Sequence, residues 1–246
     1  MDLELYKNKE IPTKKFPSIK EYSYGDEKYD KEELVSLSKK GLLTRSQYFF
    51  GFSVPGSYRD CFARESVANM LVNIDNKLKE NGLRLLIWDG YRPICIQQRL
   101  WNYYRQDIKL KNPELSDEEL DFKTSFFVSK PSYNIERPSL HNSGGAVDLT
   151  LYDEINKKEL NMGTKFDDFS DKAWSNHFEI YEENKEVRDN RRLLYNLMIE
   201  EGFTNLPSEW WHYDFGTKFW AYFKNTDALY KGILDAGNLC ERFPLF

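Results

Sequence analysis

The sequence predicts an α+β fold in which short antiparallel strands present a functional site. Three observations predict it. Helical stripes stand early and late in the chain, alternating apolar and polar residues mark short strands, and the two types do not follow the regular βαβ order of a doubly wound sheet.

Val67, Met70, Leu71, Ile74 and Leu78 recur at three and four, the apolar stripe of a first helix, with Gly82 placed to end it. The apolar run 83–88 then reads as a strand that stops at Asp89-Gly90, a turn pair. Pro93 opens a second helix, predicted to run to about Trp101, because proline tolerates the first helical turn. Arg92 therefore sits at a strand-to-helix corner. Ser116 and Glu119 have the spacing of a capping box, predicting a short helix to about Phe122.

Beyond the prolines at 131 and 138, Gly144-Gly145 turns the chain into a strand with Val147, Leu149 and Leu151 on a core face and Asp148 on a polar one. Val187, Arg191, Leu194, Leu197 and Met198 trace a late helix that Gly202 caps, and the run Arg188 to Arg192 reads as its solvated face. Trp210, His212 and Asp214 share one face of a last strand. Glu209 is an odd number of residues from His212, so it must stand at a loop edge or a bulge to meet that face.

No composition shift divides the 246 residues, which predicts a single domain over 1–246. A formal charge of -5 argues against nucleic acid as the main partner. No stretch is long and apolar enough for a membrane span, and the N-terminus lacks the apolar core of a secretory signal. The three cysteines, Cys61, Cys95 and Cys240, fall at irregular spacing, which predicts reduced thiols and a cytoplasmic protein.

Only three histidines occur, and two of them fall in segments with metal chemistry. His141, Asp148 and His212 provide two imidazoles and a carboxylate, the N/O set with which a catalytic zinc keeps one position open for water. Glu209, three residues before His212, supplies an acid that can take that water's proton. A lone histidine near an aspartate is ordinarily just hydrogen-bonded, and a Trp-rich strand is ordinarily core. The combination of both segments is what points to zinc, though cobalt or nickel suits the same donors. Arg92 offers either an oxyanion-binding guanidinium or a corner salt bridge to Asp89. His177 has no ligand-like spacing and is expected to be structural or on the surface.

These segments together resemble the zinc D-alanyl-D-alanine dipeptidases of the VanX type, within the wider zinc D-Ala-D-Ala peptidase group. The resemblance runs through Leu85-Leu-Ile-Trp-Asp89-Gly-Tyr-Arg92-Pro93, Ser139-x-His141-x2-Gly144-x-Ala146-x-Asp148, Met162-Gly-Thr-x-Phe166-Asp167, Asn190-Arg-Arg-Leu and Glu209-Trp-Trp-His212-Tyr. It spans roughly 49–215, with 216–246 as a C-terminal extension. It implies a central antiparallel sheet flanked by helices, one zinc per chain on His141, Asp148 and His212, and Glu209 as base and proton shuttle. It also implies that Arg92 stabilises the transition state and that Ser139 and Asp167 hold the ends of a small dipeptide. The connection 131–138 is longer than in the short dipeptidases and is expected to enter the site. The competing readings are a carboxypeptidase or endopeptidase on longer peptidoglycan stems, and a zinc-stabilised binding module without activity.

Overall fold

The computed structural model describes residues 2–234 apart from 20 and 182, so Cys240 lies outside the described residues. The chain opens with the short helix α1 (Glu4–Lys7), followed by β1 (Leu34–Ser36), β2 (Leu43–Thr44) and β3 (Phe62–Arg64). Next come α2 (Glu65–Lys79), β4 (Leu83–Asp89), α3 (Ile94–Lys111) and α4 (Asp117–Thr124). The second half holds β5 (Ala146–Asp153), β6 (Lys158–Glu159), α5 (His177–Ile180), α6 (Lys185–Glu200), β7 (Thr204–Asn205), β8 (His212–Asp214) and α7 (Lys218–Lys224).

The main sheet runs β2-β4-β5-β8-β7, with β6 also paired to β5. It is antiparallel except at its β2 edge, which pairs parallel to β4. A separate ribbon joins β1 and β3. The α+β expectation stands, and the parallel edge refines the prediction of antiparallel strands.

Register explains which face is which. Leu85 lies opposite Leu151, Ile87 opposite Leu149 and Val147 opposite Tyr213, so these residues share one face. Helices α2 and α6 cover that face with Val67, Leu71, Ile74 and Leu78 from one and Leu193, Leu194 and Leu197 from the other, all fully buried. Each such aliphatic side chain contributes about 2 kcal/mol of gross burial energy. The opposite face carries Asp148 and Thr150.

Helix α3 continues ten residues past the predicted Trp101, because Ile108 still reaches the core and Asn112 closes the last turn by donating its amide N–H to the Ile108 carbonyl. The capping box at Ser116 forms as the spacing predicts.

The reading of Arg188 to Arg192 as solvated is wrong for three of its residues, Asn190 and the two arginines after it. Arg191 and Arg192 are buried, because the N-terminal segment and the loop before α5 pack over that side of α6. Arg192 bridges Glu179 and donates to the Lys7 carbonyl, while Asn196 donates to the carbonyls of Tyr6 and Lys9. His177 is buried too, with its ring against Phe178 and Tyr181, which rules out the surface placement among the two expected for it.

Candidate metal centre and active site

Three neighbouring strands build the site on one row. Asp89 of β4 lies opposite Asp148 of β5, and Asp148 lies opposite His212 of β8. The regular pairing of β4 would put Trp88 beside Asp148. A register shift after Ile87 brings Asp89 there instead, as a bulge re-aims one side chain by inserting a residue.

His141 comes from outside the sheet, in the single turn His141–Ser143. Gly144 ends that turn at φ 75°, a left-handed conformation that a side chain disfavours, and so lets the chain swing directly into β5.

The three predicted ligands meet. Donor atoms of His141, Asp148 and His212 all lie within 4.8 Å of one another, and all three residues are buried. His141 Nδ1 lies 2.8 Å from the Gly90 carbonyl oxygen and His212 Nε2 lies 3.1 Å from Asp214 Oδ2. Each imidazole thus has an acceptor behind it for an outer N–H, and His141 Nε2 and His212 Nδ1 are the nitrogens turned toward Asp148. Against the upward push of burial, the neighbouring histidines hold the Asp148 carboxyl well below the usual carboxylate range. Two imidazoles and a carboxylate, converging and braced from behind, are an N/O donor set that fits zinc, which displaces protons from such ligands when it binds.

Glu209 stands where its spacing required, in the turn just before β8, with Oε2 4.0 Å from His212 Nδ1. Burial raises its carboxyl, opposed by His212. Arg92 turns out to be both a corner salt bridge and a cavity residue. Its Nε and Nη2 donate to Asp89 at 3.0 and 2.7 Å, Nη1 donates to Gln97 Oε1 at 3.0 Å, and Nη2 also donates to the Tyr48 hydroxyl at 3.1 Å. Four of five N–H groups are engaged, and one on Nη1 remains without a partner among the described residues.

Tyr48 is a site residue that the sequence reading missed. Its hydroxyl donates to Asp167 Oδ2 at 3.3 Å and its ring carries the Arg92 guanidinium 4.5 Å from the centroid. Nothing in the spacing around Tyr48 signals this, because it arrives on an irregular turn (Gln47–Gly51). Asp167 itself adopts a left-handed φ of 55°, and burial together with Asp148 raises its carboxyl well above the ordinary range.

Arg92, Ser139, Asp167 and Glu209 line one narrow cavity of about 70 Å³ with the three candidate ligands, and Tyr104, Phe127 and Leu100 wall its apolar side. The connection 131–138 does not enter the site as expected. Ser129 and Ser139 line the cavity, but nothing between them does. The Tyr22 and Tyr24 hydroxyls draw the connection outward by donating to the Glu136 carbonyl at 2.9 and 3.1 Å.

The family model for peptidase M15, described as D-ala-D-ala dipeptidase, matches residues 49–226. The chain belongs to this family. The D-alanyl-D-alanine dipeptidase of Synechocystis sp. is 28% identical over 159 residues, covering 58% of this chain and 64% of that protein. The chain thus spans slightly less than two thirds of that relative's length. The Enterococcus faecium dipeptidase is 30% identical over 149 residues, covering 60% of this chain and 69% of its own. Among solved structures, a vancomycin-resistance D,D-pentapeptidase VanY in complex with Zn(II) overlaps at 16% identity and a TM-score of 0.43, over 70% of this chain and 84% of that one. That overlap is too loose to carry a functional argument.

Proposed function

We propose that this member of the D-Ala-D-Ala dipeptidase family is a zinc-dependent dipeptidase that hydrolyses D-alanyl-D-alanine or a closely related small dipeptide. The observation that carries this reading is the shared cavity. An acid for a substrate ammonium, Asp167, and a guanidinium, Arg92, face the same confined space as the three-residue donor set and Glu209.

A bound zinc, held by His141, Asp148 and His212, supplies Lewis acidity and a lowered water pKa. Glu209 takes the proton of the attacking water and returns it to the departing amine. Its raised carboxyl favours that return, because a carboxyl held above its usual range gains a proton more readily. Arg92, locked on Asp89, Gln97 and Tyr48, keeps its remaining Nη1 N–H for the oxyanion of the tetrahedral intermediate. Asp167 and Ser139 hold the two ends of the dipeptide. A cavity this small, with the 131–138 connection turned away from it, favours a dipeptide over a long stem peptide.

The test is free alanine released from D-Ala-D-Ala, L-Ala-L-Ala and a D-Ala-D-Ala-terminated pentapeptide. The proposal expects release from D-Ala-D-Ala alone. Release from the pentapeptide would move the assignment to a carboxypeptidase, and no release from any substrate would favour a binding module.

A further inference from the structure

The segment beyond residue 226, where the family match ends, closes back on the metal-binding turn. Ala228 donates its N–H to Ser23 O and accepts from Gly25 N, both at 2.9 Å, which ties the segment to the N-terminal region. Four residues on, Gly232 N donates to Ile135 O at 2.8 Å and Ile233 N donates to Asn142 O at 3.1 Å.

Asn142 is the residue directly after His141, and it is 1% exposed. Its Nδ2 donates to Ile233 O at 2.9 Å and to Arg92 O at 3.4 Å. Its Oδ1 has no partner among the described residues, so the side chain works here as a donor only. One amide therefore joins the chain's last described segment, the His141 turn and the Arg92 corner. The corner is itself tied to the turn, because Arg92 N donates to His141 O at 3.2 Å and Gly90 O lies 2.8 Å from His141 Nδ1.

We infer that Asn142 is a positioning residue that, clasped by Gly232 and Ile233, sets His141 and the Arg92 corner in register for the metal and the substrate. This rests on the metal-centre reading proposed above. A donor set must be held to about 0.5 Å, and the hydrogen bonds behind a ligand supply that precision. His141 needs it most, since it stands on a single turn outside the sheet, whereas Asp148 and His212 are fixed by strand pairing.

The packing offers a second handle. A Cβ on Gly232 would lie 2.9 Å from Asn142 Oδ1 and 3.0 Å from Pro138 Cβ, so Gly232→Ala displaces the same amide without deleting it. Lys231 provides a control: its ammonium pairs with Glu136 at 2.9 Å, which anchors the same segment without touching Asn142.

The experiment measures zinc affinity by competition with a chelating dye, melting temperature, and kcat and KM on D-Ala-D-Ala, for the full-length chain and these three variants. Asn142→Ala is expected to weaken zinc by about 10- to 100-fold, the range typical of lost partners behind a ligand. It should lower kcat while KM stays within about twofold, since register rather than ground-state binding is lost. Gly232→Ala should move zinc affinity in the same direction by a smaller factor, and it decides the matter if Asn142→Ala does not fold. Lys231→Ala should lower only the melting temperature. Wild-type zinc affinity and kcat in the Asn142 and Gly232 variants would overturn the inference, as would an equal loss of zinc in Lys231→Ala, which would make the clasp merely structural. Failure of the unaltered chain to bind zinc would overturn the metal-centre reading itself, a result distinct from any variant's.

Discussion

His212 turns its Nε2 toward Asp214, whose Oδ2 lies 3.1 Å away on the same face of β8. Thr217 donates its hydroxyl to the other oxygen of Asp214 at 2.8 Å, so the carboxylate is fixed in its turn. A carboxylate behind a histidine ligand selects the tautomer and raises the ligand's basicity.

Asp214→Ala should therefore weaken zinc binding by about 10- to 100-fold while the fold survives. Competition against a chelating dye measures it. An unchanged zinc affinity would mean that β8 alone orients the imidazole.

Glu209→Ala should separate chemistry from metal binding. Turnover of D-Ala-D-Ala should fall by about 100-fold or more, as for a lost general base, while zinc content stays at that of the unaltered protein. Glu209 stands beside the donor set and outside it. Loss of zinc along with activity would make it a ligand instead.

A pH profile should expose Asp167. Only its carboxylate form pairs with a substrate ammonium, and burial raises the pKa of that carboxyl. KM for D-Ala-D-Ala should therefore be high at acid pH and fall as pH rises through the raised pKa. Asp167→Asn should remove that limb and hold KM high throughout. The same limb persisting in Asp167→Asn would assign it to another group.

Much of this site was legible because it depends on local spacing. His141, Asp148 and His212 lie at the head of a turn and on two strands, and the period of two placed Asp148 on a polar face and His212 on the same face as Asp214. The odd spacing of Glu209 likewise required the turn it occupies. Asp214 left a readable signal, sharing a face with His212 two residues away, but the sequence does not say that an acceptor is needed there. Tyr48 and Asn142 were not legible, since their roles arise from contacts across 44 and 91 residues of chain. The burial of Arg191 was misread for a related reason. A run of arginines on a helix looks solvated until the segment that covers it is known.

Arg191 should then be a stability residue. It donates to the carbonyls of Met162, Trp174 and Lys172 at 2.8, 2.7 and 2.7 Å, with its guanidinium over the Phe178 ring. Burial with no carboxylate bonded to it pushes its pKa down to about 9. Arg191→Met takes the donor from the Met162 and Lys172 carbonyls, while the Trp174 carbonyl keeps the His177 N–H at 3.0 Å, and should cost about 3 kcal/mol or more in denaturant unfolding. A loss below about 0.5 kcal/mol, the range of ordinary surface substitutions, would contradict the account.

The most direct test of the central claim is a zinc titration of chelator-stripped protein, followed by D-alanine release from D-Ala-D-Ala. Activity should be absent without metal, rise linearly with added zinc and level off at one equivalent per chain. Turnover that survives stripping, or that saturates at another stoichiometry, would contradict a single catalytic zinc on His141, Asp148 and His212.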